Sequence, residues 1–294
     1  SGLRLPFRCS GKAALLNKSV LPLSAAIKRG YTDSSTELLQ VEKDPENEAV
    51  AILRLNRRPV NGLNKQLLND LSITLEKLQN DKTYRGIILT SMVPNIFSAG
   101  LDITEFYQKK PEETDAFWRT LQDVFLRLYG SKLVTIAAIS GHSPAGGCLL
   151  AMACDYRVMA TGKYTIGLNE TLLGIIAPFW FIETMKNTIG HRETEKSLQL
   201  GKLYSPEQAE NIGLVDQICP PDDVLGCARK EMVKWLKIPD HARILTKQLM
   251  RNELINNLSS KRKEDIYNFT SFVQKDSIQR SLGLYLESLK KKKS

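Results

Sequence analysis

An α/β layered fold is the class that this 294-residue sequence predicts, and three observations predict it. Short apolar runs at 49–55, 86–90, 133–139 and 156–160 have strand length and polar flanks. Between them, apolar residues recur every three or four positions, the spacing of an amphipathic helix. Beyond about residue 215 helical spacing takes over and runs from 224 to 289 with one short break. Strands alternating with helices imply helices layered on a sheet, and the last stretch implies a helical C-terminal region attached to that core.

Taken in order, runs at 38–42 and 49–55 flank the turn-prone Asp44-Pro45-Glu46-Asn47 and predict two strands. Asn64 has the side chain to cap a helix that carries Leu67, Leu68, Leu71, Leu75 and Leu78 on one face. The run GIILT at 86–90 predicts a buried strand. Ala116, Phe117, Leu121, Val124, Phe125 and Leu128 then keep helical spacing before the next strand, LVTIAAI at 133–139. A short helix of small residues at 146–153 leads into a strand at 156–160. In the helical tail, Ile238-Pro239-Asp240 marks the break, with Asp240 as candidate cap of the following helix.

Composition excludes several classes. Hydrophobic residues at 42% and charged residues at 25% are those of an ordinary globular domain. No apolar run approaches the roughly 20 residues that span a bilayer. Five scattered cysteines without a C-x-x-C pair, and three histidines without H-E-x-x-H spacing, argue against a disulfide framework and a metal site. The net charge of +9 is uneven: Arg4, Arg8, Lys12, Lys18, Lys28 and Arg29 precede the first acid, Asp33, leaving +3 for the rest. A basic, acid-free start with Leu, Ala and Ser between the charges reads as a mitochondrial transit peptide over 1–32, or as a disordered leader. The closing run Lys290 to Lys293 reads as a solvated end, so charge alone points to no nucleic acid.

Three segments carry residues unsuited to a plain core. The first is Asn95-Ile96-Phe97-Ser98-Ala99-Gly100-Leu101-Asp102, whose small residues admit a ligand close to the backbone. Asp102 has the alternative task of capping a helix near Ile103. The second is Gly141-His142-Ser143-Pro144-Ala145-Gly146-Gly147-Cys148, where paired glycines open a helix whose first amides lack intrahelical partners. Such amides can receive negative charge, although tight packing also calls for glycine; His142 reads as a loop residue. The third, residues 165–180, holds Glu170, the lone carboxylate between Asp155 and Glu183, amid Ile, Leu, Phe and Trp. Burial there would raise its pKa and poise it for proton transfer, whereas a surface turn would leave it ordinary.

In this order and spacing, FSAGLD, PAGGC, CDYR, GLNETLLGIIAPFW, NTIGHR, GLVDQ and IPDHAR with LTK resemble the crotonase (enoyl-CoA hydratase/isomerase) superfamily, and within it the mitochondrial Δ3,Δ2-enoyl-CoA isomerases. The likeness runs from about Leu38 to Leu289. It implies a crotonase-like ββα spiral core over 33–222 and a helical region over 223–294 that joins subunits and covers the active site. It implies Glu170 as acid–base residue and the amides of Ser98 and Gly146 as an oxyanion hole. Ala99, Gly100, Leu101, Asp102 and Ile103 would hold the coenzyme A moiety through their backbone, with Asn61-Gly62-Leu63 as a further contact and Asn169 beside the substrate.

Two departures bear on the activity that the resemblance implies. Family hydratases carry a second glutamate just after the G-G-C, where this sequence has Leu149, a side chain unable to hold or deprotonate water. Ala177-Pro178-Phe179-Trp180 also replaces a more glycine-rich stretch, with bulk near the acyl group. Both favour an isomerase that shifts a 3-enoyl-CoA, cis or trans, to the trans-2-enoyl-CoA in β-oxidation of unsaturated fatty acids. The expectation is then an acyl-CoA thioester substrate, no metal or redox cofactor, a homotrimer and a mitochondrial matrix location. The alternatives are hydration with Glu170 alone, betrayed by water addition to a 2-enoyl-CoA, and a non-catalytic acyl-CoA- or RNA-binding homologue without turnover.

Overall fold

The computed structural model describes residues 37–291, so the proposed leader and the last lysines, Lys292 and Lys293, lie outside the described residues. A six-stranded sheet runs in the order β1-β2-β3-β5-β7-β9, with β1 (Leu39–Asp44) antiparallel to β2 (Asn47–Leu55). From β2 onward the pairing is parallel through β3 (Gly86–Ser91), β5 (Val134–Ile139), β7 (Tyr156–Ala160) and β9 (Gln217–Cys219). Both faces of the central strands are covered, which is why they read as continuous apolar runs. Ile87, Leu89, Ala137 and Ile139 face one core; Ile88, Ile136 and Ala138 face another.

The first core lies under α1 (Lys65–Asn80) and α2 (Pro111–Tyr129). Asn64 caps α1 as its residue type predicts, accepting from the Leu67 amide at 3.0 Å, and the five predicted leucines are buried. The second core is closed by α7 (Val224–Leu236), which sets Val224, Ala228 and Met232 against the other sheet face. Between them the chain forms α3 (Gly146–Ala153), α4 (Phe179–Ile189), α5 (His191–Leu200) and α6 (Pro206–Asn211). The chain closes with α8 (Asp240–Val273) and α9 (Asp276–Lys291). Asp240 opens α8 rather than capping it: Pro239 holds the cap position, and the Asp240 carboxylate instead bridges Arg85 at 2.9 Å and Arg243 at 3.1 Å.

Helix α8 packs along α2 and touches α4. Its Asp265 is buried, and one carboxylate oxygen accepts from Trp118 at 2.7 Å, Gln122 at 2.7 Å and Trp180 at 3.1 Å, so a single side chain ties three helices. No described helix is long and apolar enough to cross a membrane.

Candidate functional site

A second, smaller sheet brings the three singled-out segments together. Its strands are β4 (Asn95–Ile96), β6 (Gly141–Pro144) and β8 (Ile166–Gly167), all parallel. Because they are parallel, the loops leaving their C-terminal ends emerge on one side: Ser98 to Asp102, Ala145 to Cys148, and Leu168 to Glu170. Glycine makes the approach possible. A Cβ on Gly141 would lie 2.0 Å from the Asn95 carbonyl carbon, and one on Gly147 would lie 2.5 Å from the Ser98 oxygen. Gly100, at φ +89°, sets its backbone so close that a Cβ would fall 2.9 Å from the Gly146 nitrogen.

Two backbone amides face this junction with little else to do. Gly146 is the first residue of α3, so its N–H has no partner within the helix and carries the positive end of the helix dipole. The preceding Ala145 sits at φ +49°, a left-handed conformation that L-residues avoid, held by its amide donating to Gly167 at 2.8 Å. The Ser98 amide makes only a long 3.3 Å contact to the His142 carbonyl, which already accepts from Phe97 at 2.9 Å.

The segment from Ala99 to Ile103 is laced to residues 60–63. The Ala99 amide donates to Val60 at 2.9 Å, Leu63 donates to Gly100 at 2.8 Å, and Asp102 donates to Leu63 at 3.1 Å. Gly100 is buried; Ala99, Leu101, Asp102 and Ile103 are half-buried. The Asp102 carboxylate is committed to Arg57 at 2.7 Å and, as a cap, to the Thr104 amide at 3.0 Å. The capping task foreseen for it is therefore real, and its carboxylate is spent within the protein.

Glu170 opens a single 3-10 turn, Glu170–Leu173, directly behind the half-buried Asn169. It is 7% exposed, and its Oε2 has no hydrogen-bond partner among the described residues. Burial drives its pKa up to about 7, against a small opposing pull from its own backbone amide. Cys148 lies near enough that the Glu170 charge adds to burial in pushing its thiol up. Leu149 is enclosed in the first core. Trp180 is fully buried, its N–H spent on Asp265 and its ring edge-on to Trp118, so it stiffens the core behind the site; Phe179 is half-buried.

His142 is a strand residue rather than a loop residue, because β6 pairs on both sides. Its Nδ1 accepts from the Thr165 amide at 3.1 Å and burial lowers its pKa, so it keeps a structural post. Helix α9 packs on the segments just beyond two of the three site loops. Gln279 donates to the Phe106 carbonyl at 3.1 Å and accepts from the Gln108 amide at 2.8 Å, while Ser281 lies against Gly174. These contacts escaped sequence reasoning because each joins residues far apart in the chain; so did the hydrogen bond from Asn61 to the Phe97 carbonyl, Asn61 having entered only as part of a coenzyme A contact that the resemblance implies. A cavity of about 420 Å³ between α7 and α8, lined by Asp155, Trp235, Lys247 and Met250 among others, shares no residue with this cluster. Among the described residues no three His, Cys, Asp or Glu side chains come together as metal ligands.

The sequence profile of the enoyl-CoA hydratase/isomerase family matches residues 45–293. The mouse protein "Enoyl-CoA delta isomerase 1, mitochondrial" is 56% identical across 83% of this chain and 85% of its own. Its human namesake is 51% identical across 83% of this chain and 81% of its own. The crystal structure of human mitochondrial delta3-delta2-enoyl-CoA isomerase superposes with a TM-score of 0.86 at 49% identity, covering 88% of this chain and 100% of that one. With the profile spanning most of its length and relatives this near, the chain belongs to the enoyl-CoA hydratase/isomerase family.

Proposed function

We propose that this protein is a Δ3,Δ2-enoyl-CoA isomerase in which Glu170 carries a proton from C2 to C4 of a 3-enoyl-CoA. The observation that carries the reading is a single enclosed carboxylate with an unpartnered oxygen and a pKa of about 7, beside the two amide-bearing loops. The thioester oxygen lies between the Ser98 and Gly146 amides. Glu170 removes a C2 proton; the electron pair moves into the carbonyl, giving a dienolate whose oxygen those amides stabilise. The Glu170 acid then protonates C4, the double bond settles between C2 and C3, and the carboxylate is restored. Proton count and charge balance without water, metal or redox partner. Loss of one such donor raises the barrier by about 3–4 kcal/mol.

Coenzyme A is held along the backbone of Ala99, Gly100, Leu101, Asp102 and Ile103, and Asn169 lies beside the acyl group. Leu149 supports isomerisation over hydration, since it supplies no second carboxylate for water. The protein acts as a homotrimer in the mitochondrial matrix; the names of its relatives support the mitochondrial part of that reading alone.

Purified protein and trans-3-hexenoyl-CoA, followed by the absorbance of the conjugated thioester, provide the test. Wild type is expected to convert it, and Glu170→Gln to bind acyl-CoA while losing at least about 1,000-fold in kcat. Substantial turnover by Glu170→Gln would sink the assignment.

A further inference from the structure

The geometry points to Asn61 as the positioning residue of the Ser98 amide, a role that rests on the oxyanion reading above. Asn61 touches no reacting atom; it acts through the Phe97–Ser98 peptide. That peptide is planar and trans, so the Phe97 carbonyl and the Ser98 N–H are opposite ends of one rigid plate. Asn61 Nδ2 donates to the Phe97 oxygen at 2.9 Å, which fixes the plate's rotation and draws electron density away from the Ser98 N–H.

Everything about Asn61 serves that grip. It is 0% exposed and sits at φ +49°, a left-handed conformation that Asn tolerates better than most residues. Its Oδ1 accepts from the Arg57 amide at 2.8 Å, and Nδ2 also donates to Ser91 Oγ at 2.7 Å. Its own carbonyl accepts from Ser98 Oγ at 2.7 Å, so Asn61 holds Ser98 by side chain and by main chain at once.

The second amide explains why a side chain is needed here. The Ala145–Gly146 peptide has its carbonyl held by the Leu149 amide at 3.0 Å, within the first turn of α3. A helix therefore orients Gly146. Ser98 follows β4, a strand of two residues, and has no helix to orient it. It does have a competitor, the His142 carbonyl at 3.3 Å. Release of the Phe97 oxygen would let the peptide rotate and give the Ser98 amide wholly to His142.

The experiment uses Asn61→Asp and Asn61→Gly in the full chain. Asn61→Asp keeps size and the acceptor for Arg57 but turns the donor toward Phe97 into a second acceptor; Asn61→Gly keeps the left-handed backbone and removes the side chain. Three quantities are read: kcat, Kd for a saturated acyl-CoA, and the infrared carbonyl band of bound 2-enoyl-CoA carrying ¹³C at C1. The expected result is a fall of about 100-fold in kcat, Kd within about threefold, and a carbonyl band shifted back toward its free position. A merely structural residue would lower stability and binding together without selectively losing carbonyl polarisation. A folded variant with kcat near wild type, or one that loses kcat with the band unmoved, overturns the role. Failure of both variants to fold would make Asn61 a residue of stability alone and overturn it too. A wild type whose carbonyl band does not move on binding overturns the oxyanion reading itself, whereas a wild-type shift that persists in the variants overturns Asn61 only.

Discussion

Burial raises the Glu170 carboxyl because one backbone amide is all that offsets the loss of water, and no cation stands opposite it. Two measurable consequences follow from a folded pKa of about 7 against an ordinary 4.5. In the proposed mechanism Glu170 is ionised when it takes the C2 proton, so kcat/KM should climb about tenfold per pH unit below 7 and level off above it. Stability should run the other way. Between pH 4.5 and 7 the folded chain holds a proton that the unfolded chain has lost, so stability falls as pH rises through that window, by about 3 kcal/mol in all. Glu170→Gln should therefore be more stable than wild type at pH 8, by up to that amount in urea titrations, with the difference fading toward pH 4. Glu170 was legible in the sequence as a lone acid in an apolar stretch. Asn61 was legible only as part of a coenzyme A contact that the resemblance implied, because its hold on Ser98 depends on a left-handed backbone and a carbonyl 36 positions away.

Among the elements, long strands and helices announced themselves and short ones did not. The runs that form β3, β5 and β7 are mostly apolar, with Arg157 the one charged residue among them, and α1 and α2 show helical spacing. Strands β4, β6 and β8 have two to four residues each, too few for any periodicity, yet they assemble the site. The tie between α8 and the sheet was equally silent. Asp155, two residues past α3, accepts from the Thr135 amide of β5 at 2.9 Å and pairs with Lys247 at 2.6 Å and Arg251 at 3.1 Å, all with little exposure. Burial lowers Lys247 to about 8 although Asp155 pulls upward, so the pair withstands a real desolvation penalty. Asp155→Ala leaves two cations without their partner and should lower unfolding free energy by about 3–5 kcal/mol in denaturant titrations. A change below about 1 kcal/mol would mean that water replaces the carboxylate.

Across the whole molecule, α8 is the organising rod. Its 34 residues extend about 51 Å along the core, with side chains buried from Arg243 to Val273. Buried residues such as Leu254, Leu258 and Ile266 face that core, while Leu245, Leu249 and Met250 stand 57%, 81% and 77% exposed. A run of large apolar side chains in water is the pattern of a subunit contact. The proposed trimer should dissociate when Leu249 and Met250 are both changed to Glu, as read by light scattering, with the far-ultraviolet dichroism unchanged. An unaltered mass would remove this face from the assembly. The helical character of this region was plain from sequence, but which of its apolar residues faced the core was not, since a helix this long has two partners with different periodic demands.

The unpartnered oxygen of Glu170 has a consequence for isotopes. In the proposed mechanism a deuteron lifted from C2 arrives on a carboxyl whose Oε2 meets no hydrogen-bond partner among the described residues. During the short life of the dienolate, transfer to C4 of the same molecule should outrun exchange with solvent. Substrate deuterated at C2 should thus yield product deuterated at C4, and reaction in heavy water should leave that carbon mostly protiated. The enclosure that makes the base strong would also make it a private carrier, sparing the reaction any exchange with the solvent outside.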